Sequence, residues 1–472
     1  MQFIVTATFV TNFITCTLIS VFAATVISAT AHAQVYASQT PADTFSLAEA
    51  ISTAIANNPN QKANLNMVEA AHDEAEAYRK NSFLPSTRIY SGISGNGLGP
   101  SANTEGGYFQ SAGWSASQMV YDGGARRHRE KALTHEARAI EAEFNSSNSF
   151  IPNTSGALAS DVFMTYLDAS SVRLNIEVAS QYVELFDSIA LYITDPITKL
   201  KVDNLLIGYR SKVNSAIQNY DDVKRDLENF LYAPLPSELD SIEQTNARMQ
   251  QDLAPYNDLE YAIAVAKEKN QNYLARLYQL QAAEENSASV KADLTRPKVA
   301  VVVADSWNRN DYYDGDLDNY HTRDGYIGVD VQYQIQFGTK SALSASRKRV
   351  MAAKQYIEQT THDLVYRITS NYQKLVSADQ AIADYQKNID SIFSQIEEFR
   401  RTHTQPGLII SSDDFDFLTS LTDELDRNYD QYYNSLFSAV QYRYNLLREI
   451  GILFETTDIK PSYTKISVPK KK

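Results

Sequence analysis

Residues 311–320 read DYYDGDLDNY and set Asp314, Asp316 and Asp318 two apart. Carboxylates alternating in this way are how a loop wraps oxygen ligands around calcium. The rest of such a loop is missing. With Asp314 as position one, position six is Asn319 where a glycine makes the turn, and position twelve is Gly325 where a glutamate closes the shell. The stretch reads as a polar loop between strands. His128 and His135 stand seven apart with Glu136 adjacent; a zinc pair wants i, i+4 spacing or a third ligand, so a solvated helix face is expected. The double glycine in MVYDGGARRHREKAL, Gly123-Gly124, lacks the spacing of a phosphate loop. No nucleophile–base arrangement and no hydrolase elbow occurs. The sequence points away from an enzyme and calls for no cofactor and no metal.

Composition narrows the partners. The chain has 472 residues and a net charge of −14, which repels a phosphate backbone and excludes nucleic acid as an expected partner. Residues 1–33 hold no Asp, Glu, Lys or Arg and end ISATAHA, with Ala31-His32-Ala33 fitting a signal-peptidase site. A secretory signal peptide is expected there; a retained anchor helix is the alternative. Cys16, the only cysteine, falls inside it, so the exported part offers no disulfide or thiolate site. Beyond Ala33 no apolar run approaches the ~20 residues of a spanning helix. If the mature chain meets a membrane, it does so as a β-barrel.

These side chains are carried by a unit that occurs twice. Shifted by 212, LAEAISTAIANNP from Leu47 falls on LEYAIAVAKEKNQ from Leu259, Asn58 on Asn270, Pro85 on Pro297 and Gly113 on Gly325. Each copy reads helix, helix, strand, strand, long helical hairpin. Pro85 and Pro297 stand where helix gives way to strand, as proline disfavours helix in the residue before it. In GYIGVDVQYQIQF (325–337), Ile327, Val329, Val331, Tyr333, Ile335 and Phe337 alternate with small or polar residues. That is the pattern of a membrane strand with a wet interior, although a soluble sandwich strand would fit this segment alone. Trp114, Trp307 and nearby tyrosines resemble an interfacial girdle.

Neither glycine nor proline occurs from Thr339 to Gln405, enough for about 100 Å of helix. Leu343, Val350, Ile357 and Leu364 repeat every seven residues; after a slip of four, Ile368, Leu375, Ile382, Ile389 and Ile396 resume the repeat. Such spacing demands partner helices, and the stutter locally unwinds the supercoil. Pro406-Gly407 and Pro196 mark the hairpin turns. Asp122-Gly123-Gly124 and Gly338 are expected to be joints where strand swings into helix. The expected organisation is a signal peptide at 1–33 and a first repeat at 34–232, with strands at about 86–94 and 107–121 and long helices at about 125–195 and 198–232, interrupted at 145–156. An equatorial connection at 233–257 leads to a second repeat at 258–453, with strands at about 297–307 and 325–337 and helices at about 339–404 and 412–450, then a tail at 454–472. Four strands cannot close a barrel, which takes about eight, so copies of the chain must share one.

In this order, SLAEAISTAIANNP (46–59), FLPS (83–86), SQMVYDGGARR (117–127), FMTYLDA (163–169), PGLIISSDDFDFLTSL (406–421) and YNLLREIGIL (444–453) resemble the TolC family of outer-membrane channels. The resemblance spans about 45–453. It implies a mainly α fold with a small β part and a homotrimer. The trimer would build a twelve-stranded transmembrane barrel in outer-membrane lipid and a twelve-helix barrel through the periplasm. It also implies a periplasmic adaptor, an inner-membrane transporter of the RND or ABC type, and export of small toxic compounds or polypeptides. The family often places acids six and nine residues after the hairpin glycine, which lands on Asp413 and Asp416. These share a helix face and would form a cation-binding ring at the periplasmic aperture; helix capping by SSDD is the alternative. Asp414 and Asp203 are weaker candidates. Thr404 and Ile409 replace the basic or aromatic residues that some relatives set beside the glycine. A periplasmic coiled-coil adaptor without a pore is the rival reading; it would have a single hairpin flanked by soluble β-domains.

Overall fold

The computed structural model describes residues 44–95, 107–146, 155–312, 320–333, 338–403 and 410–456. The signal-peptide segment, the calcium-like aspartates, Ile335, Phe337, Pro406, Gly407 and the tail after 456 lie outside them.

Two short helices open each repeat: α1 (Leu47–Asn57) and α2 (Pro59–Phe83), then α7 (Leu259–Lys269) and α8 (Gln271–Thr295). Both pairs are offset by 212 at each end, since 259 − 47, 269 − 57, 271 − 59 and 295 − 83 all equal 212. The coincidence has a local cause. Asn58 and Asn270 each close one helix and cap the next, Asn58 Oδ1 accepting from the Asn60 N–H at 2.8 Å and Asn270 Oδ1 from the Tyr273 N–H at 2.9 Å. The second helices end at Leu84 and Arg296, and Pro85 and Pro297 then separate them from β1 (Ser86–Gly95) and β3 (Lys298–Tyr312).

With β2 (Gly107–Tyr121) and β4 (Tyr320–Gln332), these strands form one antiparallel sheet in the order β1-β2-β3-β4. The two repeats thus meet through β2 and β3, paired from Gly107↔Tyr312 to Tyr121↔Val299 with a bulge at Val120. β3 runs five residues past its expected end, and β4 starts five before its expected start. The polar residues of this hairpin stay in register, Arg309 opposite His321 and Asn308 opposite Thr322, so the antiparallel ladder continues through them.

The first long helix, expected at about 125–195 with an interruption at 145–156, is two helices, α3 (Ala125–Phe144) and α4 (Ser155–Ala190), and residues 147–154 between them lie outside the described residues. Their ends stay together, the Gly156 N–H donating to the Ser146 carbonyl at 3.1 Å. Then come α5 (Pro196–Leu231), α6 (Ile242–Leu253), a 3₁₀ turn at Ala254–Tyr256, α9 (Thr339–His403), α10 (Ser412–Ile450) and α11 (Leu453–Thr456). At 65 residues α9 is ~97 Å long. Its heptad is buried where the phase slips, at Leu364 and Ile368, and again at Ile389 and Ile396; Ile392 and Phe399, also seven apart, are buried as well. Val350 and Ile357, nearer the sheet, are only half-buried in one chain.

Two apolar cores result. The equatorial core gathers α1, α4, α6, α7 and the upper part of α10 around Tyr166, Phe163 and Tyr444. Phe163 and Tyr444 stack at 3.8 Å between centroids. Tyr166 Oη donates to the Phe45 carbonyl at 2.6 Å and accepts from the Asp240 N–H at 3.0 Å, tying the segment before α1 to the equatorial connection. The second core fills the tips of the two hairpins, α4–α5 and α9–α10, around Phe186, Phe415 and Ile389.

Candidate functional site

The sheet has two unlike faces. In register, Ile89, Trp114, Val303, Ile327, Val329 and Val331 share one face with Trp307. Ser86, Arg88, Tyr90, Ser115, Ser117, Ser306, Asp324, Gly328 and Asp330 share the other. The apolar face is open: Ile89 is 82% and Ile327 80% exposed. On the polar face Tyr90 lies over Gly113 and Tyr326 over Gly328, since a Cβ at either glycine would come within 2.8 Å of the ring. β1 and β4 present unpaired edges among the described residues, which cannot stay bare in lipid.

At the helix end of the sheet, the joint between β2 and α3 is a built structure. Gly123 has φ +68° and Gly124 φ +88°, a region that glycine reaches without penalty. Asp122 caps the bend, accepting from the Gly124 N–H at 3.0 Å and the Arg126 N–H at 2.7 Å. Burial pushes this carboxyl up, but those N–H groups and the Arg126 guanidinium outweigh it and hold it below the usual carboxylate range. Arg126 also donates to the Met119 carbonyl at 2.8 Å and to the Ser82 carbonyl, and Arg296 donates to the Gly123 carbonyl. Gly338 does not repeat this duty. Its φ is not positive and an added Cβ meets nothing within 4 Å. Gly123→Ala is expected to lower the temperature of thermal unfolding by several degrees. The left-handed backbone costs an L-residue about 1–2 kcal/mol, and the new Cβ would stand 2.5 Å from Arg296 Cβ. Gly338→Ala is expected to change nothing measurable; equal effects at the two positions would refute this assignment.

The histidines on α3 do not face solvent as expected. His128 Nδ1 lies 2.6 Å from Glu285 Oε2 and His135 stacks on Tyr278, both on α8. Alanines cause this: Ala132 and Ala139 on α3 and Ala275 and Ala282 on α8 are buried, and their small side chains let two helices approach closely. Burial alone would raise Glu285, but His128 and Lys131 hold it below its ordinary value. No group of His, Cys, Asp and Glu able to hold a metal occurs among the described residues.

At the hairpin tips, Asp195 caps α5, accepting from the Thr198 N–H at 2.8 Å with Pro196 at the first helical position. Ser411 caps α10, and Asp414 is its partner: Ser411 Oγ accepts from the Asp414 N–H at 3.2 Å, and Asp414 Oδ2 accepts from the Ser411 N–H at 3.1 Å. Asp414 is therefore a capping residue. Asp413 and Asp416 are exposed, one turn apart, and Asp203 is exposed on α5. Asp416 is not alone. Lys201 Nζ on α5 donates to its Oδ1 at 2.8 Å and its Oδ2 at 3.1 Å. Farther from the tips on the same helix pair, Lys212 lies 3.5 Å from Asp426.

Solved structures share the fold. A membrane protein from Pseudomonas aeruginosa superposes with a TM-score of 0.64 at 14% identity, covering 86% of this chain and 92% of its own. VceC, an outer membrane protein of Vibrio cholerae, gives 0.60 at 14% identity, covering 86% and 96%. The MtrE outer membrane channel of Neisseria gonorrhoeae, in its open state, gives 0.60 at 13% identity, covering 87% and 88%. The chain has the fold of an outer-membrane channel. No protein-family model and no curated protein matches it.

Within that fold, Lys201 is the residue that motif reading passed over. No local pattern marks it, because its partner Asp416 lies 215 residues away on the returning helix of the other hairpin.

Proposed function

We propose that this chain is an outer-membrane channel-tunnel that assembles as a homotrimer. It would export small toxic compounds or polypeptides with a periplasmic adaptor and an inner-membrane transporter. The observation that carries the reading is the sheet. It joins long helical hairpins, exposes one apolar face and one polar face, and ends in two edges that only other strands could cover in a bilayer. Three copies give twelve strands, above the minimum of about eight for closure. No helix among the described residues is long and apolar enough to cross a membrane, so the sheet is the membrane-spanning element of this proposal. The hairpin tips then lie at the far end of the periplasm, with Asp413 and Asp416 around the aperture. Leu191, Ile197, Leu200 and Ile207 there are all more than 60% exposed, an apolar surface of the kind a partner covers. The adaptor reading has no comparable support, because an adaptor has no use for an apolar-out, polar-in sheet.

The test is electrophoresis of an outer-membrane fraction with and without boiling. The channel is expected to run as a trimer that boiling converts to a monomer. A soluble monomer in the periplasmic fraction would overturn the proposal.

A further inference from the structure

Resting on the channel reading, we infer that α2 of one copy packs against α9 of the next, in the register of the α8–α3 contact inside each chain. The duplication offers two equivalent contacts, and one chain makes only one of them. β2 runs into α3, and α8 runs into β3. Where β2 pairs with β3, α3 and α8 therefore lie antiparallel, side by side. In the same way α2 runs into β1, and α9 follows β4. But β1 and β4 are the two edges of the sheet and do not meet within one chain. Pairing β4 of one copy with β1 of the next sets α9 beside α2 as α3 sits beside α8. Such a head-to-tail contact generates a ring when the rotation closes.

The register follows from the contact already made. Ser289 Oγ on α8 donates to the Ala125 carbonyl on α3 at 2.9 Å. One heptad farther from the sheet stand Ala282 and Ala132, and one more brings Ala275 and Ala139; these four are at most 3% exposed. α8 lies 212 after α2, and α9 starts 214 after α3, since 339 − 125 = 214. Ser289, Ala282 and Ala275 thus correspond to Ala77, Ala70 and Ala63, which are exposed in one chain. Ala125, Ala132 and Ala139 correspond to Thr339, Ser346 and Ala353. Ser346 supports the second offset. Its Oγ lies 3.1 Å from Ser287 Oγ on α8, and the corresponding residues of the first repeat, Ala132 and Ala75, are buried too.

Two further observations select a second copy as the occupant. In the contact already made, Gln279 Nε2 donates to Glu143 Oε1 at 2.6 Å. The corresponding residues are Met67 and Ile357, so both ends of the pair are apolar together. Met67 is 68% exposed and Ile357 half-buried in one chain. The charges also match. α2 presents Glu69, Asp73 and Glu74, all exposed. α9 from Thr339 to Ile357 holds Lys340, Arg347, Lys348, Arg349 and Lys354 and no acid. Opposite charge on two facing helices steers their encounter and fixes their register.

The experiment is thiol cross-linking of the full chain in outer-membrane fractions oxidised with copper phenanthroline. Ala63→Cys combined with Ala353→Cys is expected to give covalent dimers and trimers on denaturing gels, where neither single variant gives any. The two single variants expressed together should also link, which only a contact between chains allows. Ala77→Cys with Ala353→Cys moves one thiol two heptads, ~21 Å, along α2 and should not link. Ala70→Leu overpacks the seam in three places and is expected to cut heat-modifiable trimer at least ~10-fold; Ala70→Ser should leave it unchanged. Linkage within one chain, linkage to a polypeptide of another size, or equal linkage out of register overturns the seam. If the double variant does not reach the outer membrane, the co-expressed single variants and Ala70→Leu decide the matter. A wild type that runs as a trimer while the in-register pair fails to link overturns the seam alone. A wild type that runs only as a monomer overturns the channel reading as well.

Discussion

Val329→Arg abolishes assembled trimer in the outer membrane, while Ser117→Arg leaves it at the wild-type level; this is the expected result if the apolar face of the sheet meets lipid. The two positions lie a residue apart in the register, Gln118 pairing with Val301 and Val301 with Val329 on one face, and Ser117 pairing with Val302 and Val302 with Gly328 on the other. Val329 is 67% exposed in the single chain, so its replacement breaks no intrachain packing, and a soluble protein would tolerate it. At the middle of a bilayer an arginine costs about 2–4 kcal/mol, and three copies raise this to about 6–12 kcal/mol per trimer. On the polar face the same side chain projects into water. The measurement is heat-modifiable trimer in outer-membrane fractions. Equal amounts of trimer for both variants would mean that the face assignment, and with it the barrel, is wrong.

The reason this assignment was accessible from sequence is that alternation in a strand is local: Ile327, Val329 and Val331 declare their face within five residues. The same holds for Asn58, Asn270, Pro85 and Pro297, whose effects are exerted on their own backbone, and for the α9 heptad, where one helix records the existence of its neighbours. Duplication added a second copy of each signal. What stayed illegible was long-range pairing. The extension of β3 and β4 depends on how Asn308 and Arg309 meet Thr322 and His321 across the hairpin. The inward turn of His128 depends on Glu285, 157 residues away. Gly338 looked like Gly123, yet the need for glycine comes from φ and from Arg296 crowding the bend, neither of which a lone glycine reveals. Spacing ranked Asp414 below Asp413 and Asp416, but only the Ser411 cap shows what Asp414 does.

That last sorting gives the aperture a sharper prediction than a ring of equal carboxylates. Asp413 has no cation in its own chain among the described contacts, whereas Asp416 is held by Lys201. In a trimer the opening would be lined by three open carboxylates from Asp413 and three partly neutralised ones from Asp416. An exposed ion pair is worth only about 0–1 kcal/mol, so a multivalent cation could displace Lys201, and the two acids on one helix face would then act together. Asp413→Ala with Asp416→Ala is expected to raise single-channel conductance and abolish block by multivalent cations in planar bilayers. Lys201→Ala is expected to do the opposite to block, strengthening it several-fold, because it returns full charge to Asp416. A merely mechanical role for the pair, clamping α5 to α10, predicts that removing either partner loosens the tips alike, so Lys201→Ala and Asp416→Ala would shift conductance in the same direction and leave block unchanged. Opposite signs in the block are therefore what distinguishes a selectivity element from a clamp.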